Sequence, residues 1–477
     1  MKSNTSSANT EVKVQKSKKH FSLTNWFAKN DMVQTFANAW KIADLRKKIL
    51  FTLMIVLLYR IGANLYVPFV NVTAINEVAG SWLNFSGIFG MVNLFSGGSF
   101  EQASLFALSV SPYITASIVM QLLTIAIPAL ERLSKEGDEG KKKINAITRI
   151  VTVALAVITA YGYVKLLESS QYDLILINKN TDGAMYYFGI AVMVTCFCAG
   201  ASIIMWLAEQ INQHGIGNGV SIILFANIIS RGAAMFGAMV GMMQNSYGGW
   251  LKGGKLALGI VEFVISLALA VVTIGMIVWF TNSEERIRIQ YAKKVVGRKM
   301  YGGQSSNLPL KMNMAGVMPV IFASSIVSIL PTVAEFTNTN GSFYKVVANF
   351  FGTNTPAYIL TYFVLIFAFS YFYIMISFNP IEVANNIKNN GGSIKGYRSG
   401  SETAAYIKKH LNRITTMGAV FLAVIAGVPM IVGALVPSFT SLAFSGTSLL
   451  IAVGVVLEIV RDVEAQMKLR NYKGFLD

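Results

Sequence analysis

The long uncharged stretches of the chain determine what it can fold into. Residues 102 to 130, 183 to 208, 346 to 381 and 414 to 457 contain no Asp, Glu, Lys or Arg. A helix needs about 20 apolar residues to cross a hydrocarbon core, so each stretch can span a membrane, and the last can do so twice around Pro437. With 54% hydrophobic and 13% charged residues, the sequence predicts a polytopic membrane protein. A disulfide scaffold and a disordered chain are excluded.

Shorter apolar runs fill the gaps between these stretches and complete a set of ten predicted helices. They lie near residues 49 to 67, 104 to 127, 150 to 167, 186 to 208, 219 to 242, 256 to 280, 313 to 333, 356 to 379, 414 to 436 and 446 to 465. We call them spans 1 to 10. An even number of crossings places both termini on the same side of the membrane.

The net charge of +17 could indicate a nucleic-acid partner in a soluble protein, but the positions of the charges favour another cause. Of the 40 Lys and Arg residues, 33 lie in alternate segments that include both tails and the loops at 132 to 149, 286 to 311 and 388 to 413. Loops rich in Lys and Arg remain in the cytoplasm. The bias predicts cytoplasmic termini, and most of the positive charge reflects topology.

The segment between Trp82 and Phe100 is apolar but is broken by glycines at 87, 90, 97 and 98. Its unbroken pieces are too short to cross a bilayer, and such pieces are often re-entrant or interfacial. A re-entrant element implies a cavity, because non-helical backbone at membrane depth must be buried in protein or face water. An external amphipathic loop is the alternative, and the residues alone do not separate the two.

The predicted spans contain hydroxyls and amides but almost no ionisable side chains near their centres. Ser117, Gln121 and Thr124 share one helix face by spacing. Ion-coupled transporters place ionisable groups at the midplane, so their scarcity argues against that class. No paired base and nucleophile, metal-ligand motif or phosphate loop is present. The glycine cluster at 215 to 219 is better explained as a tight turn with Asn218 near a helix N-cap.

Several long motifs resemble the SecY family, the central subunit of bacterial protein-translocation channels, from about Lys41 to Gly474. Among them are SPYITASIVMQLLT at 111 to 124, KEGDEGKKKI at 135 to 144, WLAEQINQHGIGNGVSIILFANI at 206 to 228, QYAKKVVGRKMYGGQSSNLPLKMNMAGVMPVIFASSI at 290 to 326, FNPIEVANNIKNNGG at 378 to 392, GYRSG at 396 to 400 and GTSLLIAVGVVLE at 446 to 458. Motifs of this length and spread identify the chain as a member of that family.

The resemblance implies an all-α membrane fold of ten helices in two inverted five-helix halves around an hourglass pore. The implied organisation is a cytoplasmic tail with a surface helix (1–48), helices 1 to 5 with a plug at about 83–100 (49–242), an external loop and helix 6 (243–281), a cytoplasmic loop (282–312), helices 7 and 8 (313–378), a second cytoplasmic loop (379–413), helices 9 and 10 (414–466) and a cytoplasmic tail (467–477).

Four sets of functional residues are carried over from the family, residue by residue. The pore ring is Val110, Ile114, Val220, Leu224, Ile321 and Ile451, and the plug is represented by Leu83, Ile88, Phe89, Met91, Leu94 and Phe95. The lateral gate is assigned to Ser117, Gln121, Thr124, Ser324, Ser325 and Ser328, and motor or ribosome binding to Arg286, Arg288 and Arg398. Without the resemblance, the aliphatic ring residues would be read as ordinary packing or lipid-facing side chains.

The function implied by the resemblance is a passive channel for unfolded polypeptides in the bacterial cytoplasmic membrane, opened by signal sequences. Its implied partners are the SecE and SecG subunits, the motor ATPase SecA, the ribosome, signal sequences and the phospholipid bilayer. We expect no cofactor, metal or nucleotide hydrolysis in the chain itself. The alternative function is an ion-coupled secondary solute transporter, and a membrane-embedded enzyme is a remote third.

Overall fold

The computed structural model describes residues 39–78, 93, 95–169, 174–177, 183–245, 256–291, 294–296, 299–301, 305–335, 346–347, 355–435 and 445–473. The chain divides into two units. The smaller comprises Met1–Lys47 with Val460–Asp477, and the larger is Lys48–Ile459. The site described below lies entirely in the larger unit.

Helices form most of the described chain. In order, the elements are α1 (Ala43–Gly62), α2 (Val72–Val78), α3 (Ser111–Ala126), α4 (Pro128–Lys135), α5 (Asp138–Ser169), α6 (Ala184–His214), α7 (Gly219–Asn245), α8 (Leu256–Asn282), β1 (Glu284–Tyr291), β2 (Lys294–Val296), β3 (Lys299–Tyr301), β4 (Ser305–Lys311), α9 (Met318–Glu335), α10 (Pro356–Ser377), α11 (Pro380–Asn389), β5 (Gly392–Ile394), α12 (Ser401–Leu435) and α13 (Ser445–Lys473).

Every predicted span contains a helix, and the larger helices expose apolar side chains. In the part of the chain that the structure describes, four helical stretches are long and apolar enough to cross a membrane, namely Asp138–Glu168, Ala184–His214, Pro356–Asn389 and Ser401–Ile431. Shorter apolar helices occur at Gly219–Gly232, Leu267–Asn282 and Met318–Val327. On α10, Leu360, Val364 and Met375 are 65%, 59% and 79% exposed. Exposed apolar surface of this extent suits lipid contact, as in a multi-pass membrane protein.

Span 2 begins later than its hydropathy predicts and then bends. Residues 97 to 110 form turns, with left-handed backbone at Ala103 and Ser109. The helix α3 starts at Ser111 with Pro112 in its first turn, where a missing N–H costs nothing. Ile127 is extended because it precedes Pro128, and α4 leaves at 100° to α3. Hydropathy does not detect such turns, since their residues are also apolar.

The two basic loops are joined by a small sheet that the sequence did not predict. Its strand order is β4-β1-β5, with both pairs antiparallel. Strand β1 alternates buried and exposed residues near its centre, so Ile287 and Ile289 point into a core shared with Ile394 and Ile407. The described parts of the loops at 282–312 and 379–413 are therefore joined in one body, which contains strands within a mostly helical described chain.

Asn218 caps α7 as predicted from the glycine cluster. Its side-chain oxygen Oδ1 accepts hydrogen bonds from the backbone N–H groups of Val220 and Ser221 at 3.0 and 3.5 Å. Such a cap satisfies donors that would otherwise be orphaned at the start of a helix. The cap therefore fixes where α7, which carries two predicted ring residues, begins.

Replacing Ile289 by Ala should loosen the sheet. Ile289 is buried and pairs with Ser306 on one side and Ile394 on the other. Truncating a buried Ile costs about 2–5 kcal/mol, so deuterium uptake by β1 should accelerate by at least roughly tenfold. Gln290→Ala, on the exposed face of the same strand, is the matched control. Equal uptake in the two variants would show that Ile289 does not hold the loops together.

Candidate channel site

The six predicted ring residues, which we call the collar, belong to or pack against one large buried apolar cluster. Val110, Ile114, Leu224, Ile321 and Ile451 are each at most 7% exposed and belong to the same buried cluster. Val220 is partly buried and packs against it. The collar is therefore assembled from four chain segments: the start and first turn of α3, and the helices α7, α9 and α13.

Helical spacing arranges four of the collar residues in two pairs. Val110 and Ile114 are four residues apart, as are Val220 and Leu224, so each pair lies on one helix face one turn apart. Branched aliphatic side chains have no hydrogen-bonding groups. A narrow passage lined by them disfavours water and ions, because neither finds a partner that replaces its hydration.

Of the predicted plug residues, the structure describes Phe95. It is partly buried and packs against the same buried cluster as the collar. Leu83, Ile88, Phe89, Met91 and Leu94 lie outside the described residues. Phe95 thus places the end of the glycine-broken segment against the apolar cluster that contains the collar residues.

Sequence reasoning missed a polar cluster beside the collar. Asn227 and Arg231 lie one turn apart on α7. Asn227 contacts Phe95, near the end of the glycine-broken segment, and Arg231 contacts Glu101, just beyond it. No site residue was predicted at Asn227 or Arg231. The available signal was the amide and the charge of span 5, which stand at i and i+4 and therefore share one face.

The predicted lateral-gate side chains hydrogen bond within their own helices. In α3, Gln121 Nε2 donates to Ser117 Oγ at 3.3 Å, and Thr124 Oγ1 donates to the carbonyl of Met120 at 2.7 Å. In α9, the hydroxyls of Ser324 and Ser325 donate to the carbonyl of Ile321 at 2.8 and 2.9 Å. Ser328 lies in α9, but its side chain is outside the described set. The helices α3 and α9 are nevertheless in contact.

The three predicted docking arginines are exposed on the sheet-bearing body. Arg286 and Arg288 alternate with buried isoleucines on β1, and Arg286 pairs with Glu284 through Nε at 2.7 Å. The backbone N–H of Arg398 donates to Glu402 Oε2 at 3.0 Å, and its carbonyl accepts from Thr403 Oγ1 at 2.9 Å. These bonds fix the backbone of the 396–400 turn against α12 and leave the guanidinium of Arg398 facing outward. Within the described ranges, no three His, Cys, Asp or Glu side chains converge as a metal site.

At the level of sequence, a family model and individual relatives point to the same family. The family model described as SecY matches residues 104–460. A protein translocase subunit SecY from Streptomyces scabiei is 44% identical over 449 residues, which cover 93% of this chain and 100% of that protein.

Solved structures agree on the fold. A structure described as a protein-conducting channel aligns with a TM-score of 0.60 at 16% identity and covers 88% of this chain and 92% of its own. The canine Sec61 of a ribosome–channel complex from the endoplasmic reticulum aligns with a TM-score of 0.57 at 16% identity and the same coverages. The predicted helical membrane fold is confirmed, and the ten helix-bearing spans are consistent with it.

Packing behind the collar should be sensitive to a single added methyl group. Gly454 follows Ile451 by three residues on α13, and a Cβ at this position would collide with Cγ1 of Val317. Gly454→Ala should lower the free energy of unfolding in mixed micelles by about 1–3 kcal/mol. Gly275→Ala is the control, since a Cβ there meets nothing within 4 Å and alanine favours a helix. A destabilisation by Gly275→Ala as large as that by Gly454→Ala would contradict close packing at Gly454.

Proposed function

The chain belongs to the SecY family, and from that premise we propose that it is the protein-conducting subunit of a translocase. It carries unfolded polypeptides across the bacterial cytoplasmic membrane and releases apolar segments into the lipid. Both termini and the two basic loops lie in the cytoplasm, as the distribution of Lys and Arg predicts. The subunits SecE and SecG complete the assembly.

The observation that supports this proposal is that all six aliphatic collar residues belong to or pack against the same buried apolar cluster. They come from chain segments far apart in sequence, and five of them are at most 7% exposed, so these five do not face lipid. At rest, the collar stops ions and small solutes by dewetting. Phe95, which packs against the same buried cluster, represents the plug that strengthens the seal.

The same collar lets a polypeptide of almost any sequence pass. Aliphatic side chains require no particular hydrogen bond from the passing chain, so they do not select among polar residues. Dispersion contacts of this kind are individually weak, about 0.1–0.2 kcal/mol per atom pair, and no single residue is trapped. Selection of clients must therefore occur elsewhere.

Client selection is assigned to the contact between α3 and α9, which we propose as the lateral gate. Because Ser117, Gln121, Thr124 and Ser324 hydrogen bond within their helices, separating the two helices leaves these bonds intact. A signal sequence favours the open state by partition into lipid, at about −0.3 to −0.6 kcal/mol per Leu, Ile, Phe or Val. A gate closed by a few kcal/mol responds to such a bias.

The exposed arginines of the sheet-bearing body are proposed to dock the driving partner. A ribosome offers RNA phosphates, to which exposed guanidinium groups bind electrostatically, and the motor SecA is the other driver. A solved structure with this fold was determined in a ribosome–channel complex. Nucleotide hydrolysis belongs to the motor, and the channel subunit supplies a docking surface and a passage.

Polar substitution of the collar should make the idle channel leak. Replacing Ile114 and Ile321 together by Asn introduces hydrogen-bonding groups that stabilise water at the narrowest point. We expect ion conductance of the purified protein in a planar bilayer to rise at least severalfold, and export of a substrate with a weakened signal sequence to increase.

The control for this experiment places the same substitution on the lipid side. Val364→Asn on α10 changes a side chain that is 59% exposed and is not part of the collar. It should leave conductance at the level of the unmodified protein. Unchanged conductance in the collar variant would refute the proposal that these residues form the seal.

Charge reversal at Arg398 should uncouple the driver from the channel. Arg398→Glu is expected to reduce motor-driven export by at least severalfold while the protein remains folded, because the residue is exposed and its backbone bonds remain available. Lys409→Glu, an exposed residue of α12 with the same change in charge, is the matched control. Normal export by Arg398→Glu, or equal loss in both variants, would show that Arg398 has no specific docking role.

A further inference from the structure

A polar cluster lies where the end of the glycine-broken segment meets α7. Three of its side chains, Asn93, Asn227 and Ser109, are almost completely buried, and buried polar groups persist only where they find partners. We call this cluster the latch and define it by the residues whose groups bond to one another: Asn93, Phe95, Glu101, Ser109, Asn227 and Arg231.

The carbonyl oxygen of Phe95 is the centre of the latch. It accepts a hydrogen bond from Nδ2 of Asn227 at 2.7 Å and a second from Oγ of Ser109 at 3.1 Å. The two donors are themselves 3.3 Å apart. Asn227 on α7 and Ser109 thus share one backbone acceptor. The Phe95 carbonyl cannot move away without breaking both bonds.

A second set of contacts fixes the chain on either side of Phe95. Asn93 and Glu101 bond reciprocally: Nδ2 of Asn93 donates to Glu101 Oε2 at 2.9 Å, and the backbone N–H of Glu101 donates to Asn93 Oδ1 at 3.2 Å. Arg231 lies 3.7 Å from the Glu101 carboxylate through Nη2 and 3.5 Å from the Asn93 carbonyl through Nη1. These last two distances are long, so Arg231 acts mainly through its charge.

The backbone approaches α7 closely at this point. Gly97 has φ of +68°, and a Cβ there would lie 2.8 Å from Oδ1 and 3.1 Å from Cα of Asn227. Only glycine combines this left-handed conformation with such proximity. The turn after Phe95 therefore rests directly against Asn227 and holds its amide next to the Phe95 carbonyl.

Both donors to Phe95 are neighbours of collar residues. Ser109 immediately precedes Val110, and Asn227 is three residues beyond Leu224, about one turn or 4.5 Å along the helix axis. Widening the collar by separating α7 from the start of α3 would pull the two donors apart. A displacement of the segment that contains Phe95 would break the same bonds.

We propose that Asn227, with Arg231 and Ser109, positions the closed gate and sets how strong a signal sequence must be to open it. This rests on the proposed channel function. The residues touch neither the client nor the collar interior. They act through the Phe95 segment, whose bonded position favours the closed state, and removing one of these bonds shifts the equilibrium towards the open state.

The size of the effect follows from the bonds that are lost. A neutral hydrogen bond contributes a net factor of roughly two to ten to an equilibrium. When the Asn227 amide is lost, the Phe95 carbonyl keeps Ser109 Oγ as a donor, which offsets part of the loss. We therefore expect a factor of two to five for the loss of the Asn227 amide, at the lower end of that range.

The test measures opening by a synthetic signal peptide with a Leu-rich core, titrated onto the purified protein in planar bilayers. Asn227→Leu keeps a similar side-chain volume and removes the donor, so the peptide concentration for half-maximal conductance should fall two- to fivefold. Ser109→Ala should act in the same direction. Because both donors share one acceptor, the double variant should deviate from the product of the two single effects.

A control on the same helix separates the latch from general loosening. Ser230→Ala removes a hydroxyl that donates only to the carbonyl of Asn227 within α7, and it should leave the half-maximal concentration unchanged. If Asn227→Leu fails to fold, Ser109→Ala and Arg231→Gln decide the question, since each removes a different contact of the latch.

The outcomes distinguish the latch from the channel function itself. The proposal is overturned if the latch variants require the same peptide concentration as the unmodified protein while the Asn variant of Ile114 and Ile321 conducts. It is also overturned if Ser230→Ala shifts the concentration as much as Asn227→Leu does. If neither the unmodified protein nor the collar variant responds to the peptide, the channel function fails first and the latch fails with it.

Discussion

Exclusion of water by a few aliphatic side chains is the constraint on which the rest of the structure depends. The collar can seal only if its members converge from helices that are far apart in sequence, so the ends of α3, α7, α9 and α13 must be fixed precisely relative to one another. The Asn218 cap and Pro112 fix where α7 and α3 begin, and the close approach of Gly454 to Val317 holds α13 against the start of α9. Each concerns a helix that carries a collar residue.

A seal made only of apolar contacts would not define one closed arrangement. Apolar contacts are non-directional, whereas hydrogen bonds require particular distances and angles between donor and acceptor. The latch supplies the second kind of contact beside the first, within one helical turn of Leu224. In this view the collar determines what passes, and the polar contacts of Phe95 determine how readily the passage opens.

The sequence predicted the helices and, through family resemblance, the residues of the collar. Hydropathy located ten spans because apolar length is a local property. It failed at residues 104 to 110, where turns are built from residues that are mostly apolar. It also failed for the sheet, because the pairing of Ile289 with Ile394 joins residues more than a hundred positions apart, and for the latch, because a lone Asn in a span does not reveal its partner.

The path of the client tests most directly whether polypeptides pass through the collar. A secretory polypeptide arrested midway, with a single cysteine at the stalled position, would be offered to variants with a cysteine at Leu224, Ile321 or Ile451 and with Cys196 and Cys198 replaced. The account predicts disulfide cross-links from all three collar positions to the same client cysteine, and none from a cysteine at the exposed Val364. Cross-links from Val364 alone, or from a single collar helix, would show that the client does not pass through the collar.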